Sequence, residues 1–215
     1  MKKNVLSKLN KFPYFSKTGL RSLSNDNENT INQNITRWIN SGNIISLKKG
    51  FYTTKSFFDK FFDNTSYKEF VASILRRPSY ISAEYILQKY DILTDMTYGV
   101  TSITTKTSRN YSNKLGNYNY RHIKNDLYLG FEEKHFLDNT YYVAKKAKAL
   151  FDYLYYKMKN VNKKFKPVDL FKEMRIKINE FSKDEFDEFL GYCKLSGNSK
   201  FYIIYKDLNK NGNTN

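Results

Sequence analysis

Asn32, Gln33, Thr36 and Arg37 recur over two turns of one helical-looking stretch, and Lys48-Lys49 follows on a short turn. Side-chain amides match the donor–acceptor pair on adenine, and a guanidinium matches guanine. Lysine ammonium groups suit phosphate oxygens, which position a protein without specifying sequence. Such side chains read base edges only if their helix is held at a fixed angle. Ile31, Ile35, Trp38 and Ile39 supply that hold, at i, i+4, i+7 and i+8 on one apolar stripe. Asn29 and Thr30 are candidate N-caps, and the free N–H groups of that helix end suit an anion.

The surrounding elements fit this reading. Val5, Leu6 and Leu9 share a helical face ahead of Pro13; Phe15, Leu20 and Leu23 mark a second short helix from about Ser16. Gly42 sits where a helix-ending glycine belongs. Ile44 to Leu47 and Phe51 to Thr54 are strand-like across Lys48-Lys49-Gly50. Three helices and a hairpin in that order predict a winged helix-turn-helix over residues 1–56. Thr30, Asn32, Gln33, Thr36 and Arg37 are expected to read or flank bases. Lys17, Arg21, Lys48 and Lys49 are expected to grip phosphates.

Charge placement favours a polyanion. The net charge is +16, and residues 1–60 hold 11 Lys/Arg against 3 Asp/Glu. Residues 61–139 are nearly balanced, 10 against 9, whereas 140–180 hold 11 against 4. A lysine bias from an AT-rich genome would give the same total. No apolar run reaches the ~18 residues of a membrane span. Met1-Lys2-Lys3 is not followed by a signal-peptide core. Cys193, the one cysteine, excludes an internal disulfide framework, so a cytoplasmic location is expected.

The remainder predicts a mixed α/β domain over 64–209. Residues 56–66 read as a connection docked by Phe57, Phe58, Phe61 and Phe62. Helices are expected at about 66–76 and 82–90, the latter capped by Ser82. Residues 98–143 are β-rich, with Tyr118, Tyr120 and His122 alternating with Asn119, Arg121 and Ile123. A helix over about 144–159 and two or three more follow, one striped by Phe186, Phe189 and Leu190, the last by Phe201, Ile204, Tyr205 and Leu208. The Asn/Gly-rich end, 210–215, reads as a disordered tail. The fold class is therefore α+β.

Catalytic readings are thin. Glu132-x-Lys134 after Asp126 has the look of a nuclease metal motif, but the separation is short and a surface charge cluster explains it. His122 alternates with tyrosines and has no carboxylate beside it in sequence, His135 falls in a loop-like region, and Cys193 falls where a small buried residue is the default. No Gly-rich phosphate loop, H-E-x-x-H or G-x-S-x-G occurs. No enzyme activity, cofactor or metal is expected. The tyrosines of 80–156 could stack on unpaired bases, although packing with the hydroxyl outward is the commoner use.

The chain resembles the AbiEi-type antitoxins of type IV toxin–antitoxin systems over about residues 1–205. Trp38-Ile39, Gly42, Ile44-Ile45 and Lys49-Gly50-Phe51-Tyr52 are similar to the family's wing. Tyr80-Ile81-Ser82 with Tyr90 and Leu93 follows, then Thr101 to Thr104, Gly116-Asn117-Tyr118-Asn119-Tyr120, Ile123 and Gly130-Phe131. Val143-Ala144 and Lys148-Ala149-Leu150-Phe151-Asp152 complete the series. The resemblance implies a winged helix that binds double-stranded operator DNA and represses its own operon. It also implies a C-terminal domain opposing a nucleotidyltransferase-like toxin without a stable complex. One departure is Lys146-Ala147, where the family has Pro-Glu. Lys145, Lys146 and Lys148 are unfavourable at a positive helix end unless an anion sits there, so they form a candidate second nucleic-acid contact. The alternatives are a nucleic-acid-processing enzyme or RNA-binding protein using the winged helix for targeting, and a protein-interaction scaffold.

Overall fold

The computed structural model describes residues 2–24, 26–94, 98–158 and 171–211. The fold is mixed α+β. Its first part runs α1 (Lys2–Leu9), β1 (Phe15–Ser16), α2 (Lys17–Ser24), α3 (Glu28–Asn40), β2 (Ile44–Lys48) and β3 (Phe51–Thr54). β3 lies between β1 and β2, antiparallel to both.

Local chemistry sets the limits of α3. The Asn27 side chain accepts the Thr30 N–H at 2.9 Å, so the cap is Asn27 rather than Asn29 or Thr30. At the other end Gly42 takes φ +70°, donating its N–H to the Ile39 carbonyl while Asn43 donates to that of Trp38. This left-handed glycine closure turns the chain into the hairpin. Gly50, at φ +84°, closes the turn between β2 and β3.

A small core joins Leu9, Phe15, Leu20, Ile31, Ile35, Trp38 and Ile44. Ile39, expected in the stripe, is instead 41% exposed. Asn34 is buried in its stead, because i, i+3, i+4 and i+7 already span the width that α1, α2 and the hairpin cover.

β2 faces two ways. Ile44 enters the small core, while Ile45 and Leu47 enter a second, larger one, as the alternation of a strand dictates. The join is polar as well as apolar. The Tyr67 hydroxyl donates to the Pro13 carbonyl (2.9 Å) and lies within hydrogen-bond reach of the Thr53 hydroxyl (3.1 Å). Tyr14 stacks on Phe51 and meets Phe70. The expected connection over 56–66 is largely the helix α4 (Lys55–Phe61), capped by the Thr54 hydroxyl. Phe57 and Phe58 are buried, whereas Phe62 is exposed.

The larger core surrounds a six-stranded sheet of order β6-β7-β5-β4-β9-β8. Its strands are β4 (Tyr80–Ile81), β5 (Val100–Thr104), β6 (Arg109–Asn113), β7 (Gly116–His122), β8 (Phe131–Phe136) and β9 (Asn139–Ala144). β5 runs parallel to β7, and β4 parallel to β9; the other neighbours are antiparallel. The long helix α5 (Thr65–Leu75) packs on β4, β5, β8 and β9, and short α6 (Glu84–Lys89) lies by β5. Helix α7 (Lys146–Lys157) packs on α6 and β9, and α8 (Lys183–Leu195) and α9 (Ser199–Asn211) follow it. α8 opens on a capping box between Ser182 and Glu185.

Ser82, the expected cap of α6, makes no such bond; Ala83 holds the cap position and Ser82 turns inward. α9 reaches Asn211, into the segment expected to be a tail, while 212–215 and position 159 lie outside the described residues. Among the described residues no helix is long and apolar enough to cross a membrane.

Candidate nucleic-acid interface

Helix α3 buries Ile31, Asn34, Ile35 and Trp38 and turns Asn32, Gln33, Thr36 and Arg37 to solvent. The Thr36 hydroxyl donates back to the Asn32 carbonyl at 3.0 Å, leaving its lone pairs outward. Arg37 has no carboxylate partner among the described residues. Thr30 is half-buried and lines a small cavity with Val5, Leu20, Asn34 and Trp38, so it supports the helix start rather than a base.

Lys17 is not free for phosphate. Its ammonium bonds the Glu28 carboxylate at 2.6 Å across the α2–α3 groove. The hydrogen bond from Lys17, then its charge, holds the Glu28 carboxyl below the usual range. A lowered carboxylate pKa means the pair is intact above the ordinary range and breaks only as pH falls through the lowered value. Arg21 lines the same groove and is exposed.

The two hairpin lysines diverge. Lys49 is exposed on the turn. Lys48 bends the other way: its ammonium donates to the Leu75 carbonyl at 2.6 Å and approaches that of Ile74 at 3.4 Å. It also lies 4.1 Å above the Phe51 ring. The last carbonyls of a helix are unsatisfied and carry partial negative charge, so Lys48 ties the hairpin to α5 instead of projecting as a phosphate clamp. Burial, followed by repulsion from Arg76, Arg109, Lys106 and Arg77, lowers its pKa.

Those four cations form a group that the sequence does not reveal. Arg76 donates to the carbonyl and hydroxyl of Thr107 at 2.5 and 2.8 Å. Arg109 stands over one ring, Tyr111, that Lys48 also approaches. Among the described residues none of them pairs with a carboxylate. They come from the turn after α5, the loop after β5, and β6, within a segment whose linear charge is almost balanced.

The expected second contact at α7 is not an anion site as predicted. Lys148 is fully buried and bonds Asp152 at 2.6 Å. Rings of Phe151, Tyr192 and Tyr80 surround its ammonium at 4.7, 5.4 and 5.7 Å. Asp152 also accepts from Tyr80 and Ser82 at 3.0 and 2.7 Å. Burial pushes the Asp152 carboxyl up and the Lys148 ammonium down. Lys146 bonds Glu185 and the Glu180 carbonyl, both at 2.7 Å. The positive helix end is thus answered internally, and of the three only Lys145 is exposed.

The residues weighed for catalysis have other partners. Glu132 and Lys134 pair with each other at 2.6 Å, and Glu133 lies 3.3 Å from His135. His122 is exposed, and burial pushes the Cys193 thiol up. Among the described residues no three of His, Cys, Asp and Glu come together as metal ligands. Set against models of known protein families the chain matches none, and no curated protein matches it.

Proposed function

We propose that residues 2–54 form a winged helix-turn-helix that binds duplex DNA, with α3 as the reading helix. The observation that carries this is the face of α3: Asn32, Gln33, Thr36 and Arg37 stand outward while Ile31, Ile35 and Trp38 are fixed beneath. Arg37 suits guanine, and Asn32 and Gln33 suit adenine. Arg21 and Lys49, exposed on α2 and the hairpin tip, flank this face as phosphate contacts. Lys17 stands in reserve behind Glu28. In this reading residues 64–209 are the effector domain. In the same reading, which the resemblance to AbiEi-type antitoxins supports, the protein represses its own operon and acts as an antitoxin against a nucleotidyltransferase-like toxin.

The test is binding to the DNA immediately upstream of the gene, against a shuffled duplex at physiological salt, where nonspecific attraction is weakened. A clear preference for the upstream DNA is expected. Arg37→Ala should reduce that preference by about 1–3 kcal/mol and leave shuffled DNA nearly unaffected. Equal binding to both duplexes by the wild-type protein would remove α3 as a reader.

Glu28→Gln gives an independent expectation. It releases Lys17 and deletes a negative charge from the first turn of α3. Affinity for every duplex should rise, and the log–log salt slope should steepen by about 1, one phosphate's worth. Titrations at several salt concentrations measure this. An unchanged slope would mean that Lys17 does not reach DNA.

A further inference from the structure

Beyond the α3 face, a cleft of about 550 Å³ opens beside α5 and β9, lined by Arg77, Ser79, Tyr128, Thr140 and Tyr142 among others. That volume falls within the ~300–1,000 Å³ typical of small-ligand sites. Its aromatic side is continuous. Tyr128 packs against Tyr80 and Phe131, and Phe131 meets Tyr142 edge-on at 5.4 Å. Tyr142 is 41% exposed, so part of its ring is uncovered. Among the described residues the Tyr128 and Tyr142 hydroxyls have no hydrogen-bond partner. The Ser79 hydroxyl is buried and equally unpartnered.

The cleft adjoins the cation group described above. Arg77 belongs to both, and the Thr104 hydroxyl holds the Pro78 carbonyl at 2.6 Å between them. Arg76, anchored to Thr107, keeps a buried Nε without an acceptor. A carboxylate stands by Thr140, whose hydroxyl reaches Glu133 at 3.4 Å. Phosphates would therefore leave the cleft on the Arg77 side.

Aromatic rings beside a run of cations suit single-stranded nucleic acid. A ring stacks on any unpaired base, and the cations track the backbone. A duplex, whose bases are stacked inside, offers no such base. We propose that this cleft binds an unpaired nucleotide of a single strand, the base against Tyr142 and Tyr128 and the backbone along Arg77, Arg76 and Arg109. The site is distinct from α3, and the inference stands whether or not α3 reads operator DNA.

The experiment uses the full chain and a fluorescein-labelled uridine decamer, with an abasic decamer of equal phosphate number and free UMP as comparisons. The uridine decamer should bind more tightly than either. Tyr142→Ala should weaken it by roughly 5- to 100-fold, the loss of one stacked base, and leave the abasic strand unchanged. Tyr142→Phe should retain binding. Arg77→Ala should weaken both strands alike and lower the salt slope. Arg37→Ala should change neither. Tyr142 and Arg77 are exposed, so thermal melts of the variants should match wild type. Equal affinity for the uridine and abasic strands would overturn the proposal, as would a silent Tyr142→Ala. UMP binding as tightly as the decamer would overturn the strand in favour of a free nucleotide. Parallel loss of duplex binding in Tyr142→Ala would return the cleft to the duplex interface.

Discussion

Asp152→Ala should destabilise the protein by about 3–5 kcal/mol, the cost of leaving a buried charge without its partner. Lys148 and Asp152 have no exposed surface, and each depends on the other for compensation. The three rings around the Lys148 ammonium give some cation–π attraction, but they cannot accept its charge-assisted hydrogen bonds. The pH response identifies the cause. Burial holds the Lys148 pKa below its ordinary value, so the unfolded chain binds the proton more tightly than the folded one. The stability of Asp152→Ala should then rise as pH increases towards 10, where lysine enters the interior neutral. The combined variant Lys148→Met with Asp152→Leu should recover most of the loss, because an apolar pair removes both desolvation costs. Urea melts of the two variants and the wild type across pH decide it. A deficit independent of pH would assign the loss to packing or to the Tyr80 and Ser82 hydroxyls.

Trp38→Ala should cost a similar ~3–5 kcal/mol, concentrated in the first part of the fold. Among the described residues Trp38 is the largest member of a core of seven buried side chains, and none of the seven belongs to the larger core. The cavity would lie directly beneath the outward face of α3. Hydrogen exchange should show amides of α2 and α3 losing protection while those of β5, β7 and α7 keep theirs. Duplex binding should fall with them, although Trp38 itself is buried. Uniform loss of protection would mean that the two cores open as one unit.

Much of the frame around α3 is written locally. The spacing of Ile31, Ile35 and Trp38, the glycine at 42 and the strand pattern on each side of Lys49 are short-range signals, and each lies where its pattern places it. The errors begin where a partner is distant in sequence. Nothing near Lys48 foretells the carbonyls of Ile74 and Leu75, and nothing near Lys17 beyond its charge foretells Glu28. Lys148 looks like a solvated helix-end lysine until the fold puts Tyr80, Ser82 and Tyr192 around it and its own Asp152. The i, i+4 spacing of Lys148 and Asp152 was the available clue. Arg76, Lys106 and Arg109 escape detection for the opposite reason: counting charge along the chain averages them with acids that fold elsewhere.

Strand β2 has a consequence for how the protein can be divided. One side of it, through Ile44, completes the small core; the other, through Ile45 and Leu47, is a wall of the large one. A piece cut after Thr54 would leave Ile45 and Leu47 bare and strand Lys48 without its helix-end carbonyls. The outward face of α3 is therefore not a portable cartridge. Moving it to another carrier means repainting the inner side of β2 with polar residues, or carrying α5 along as its lid.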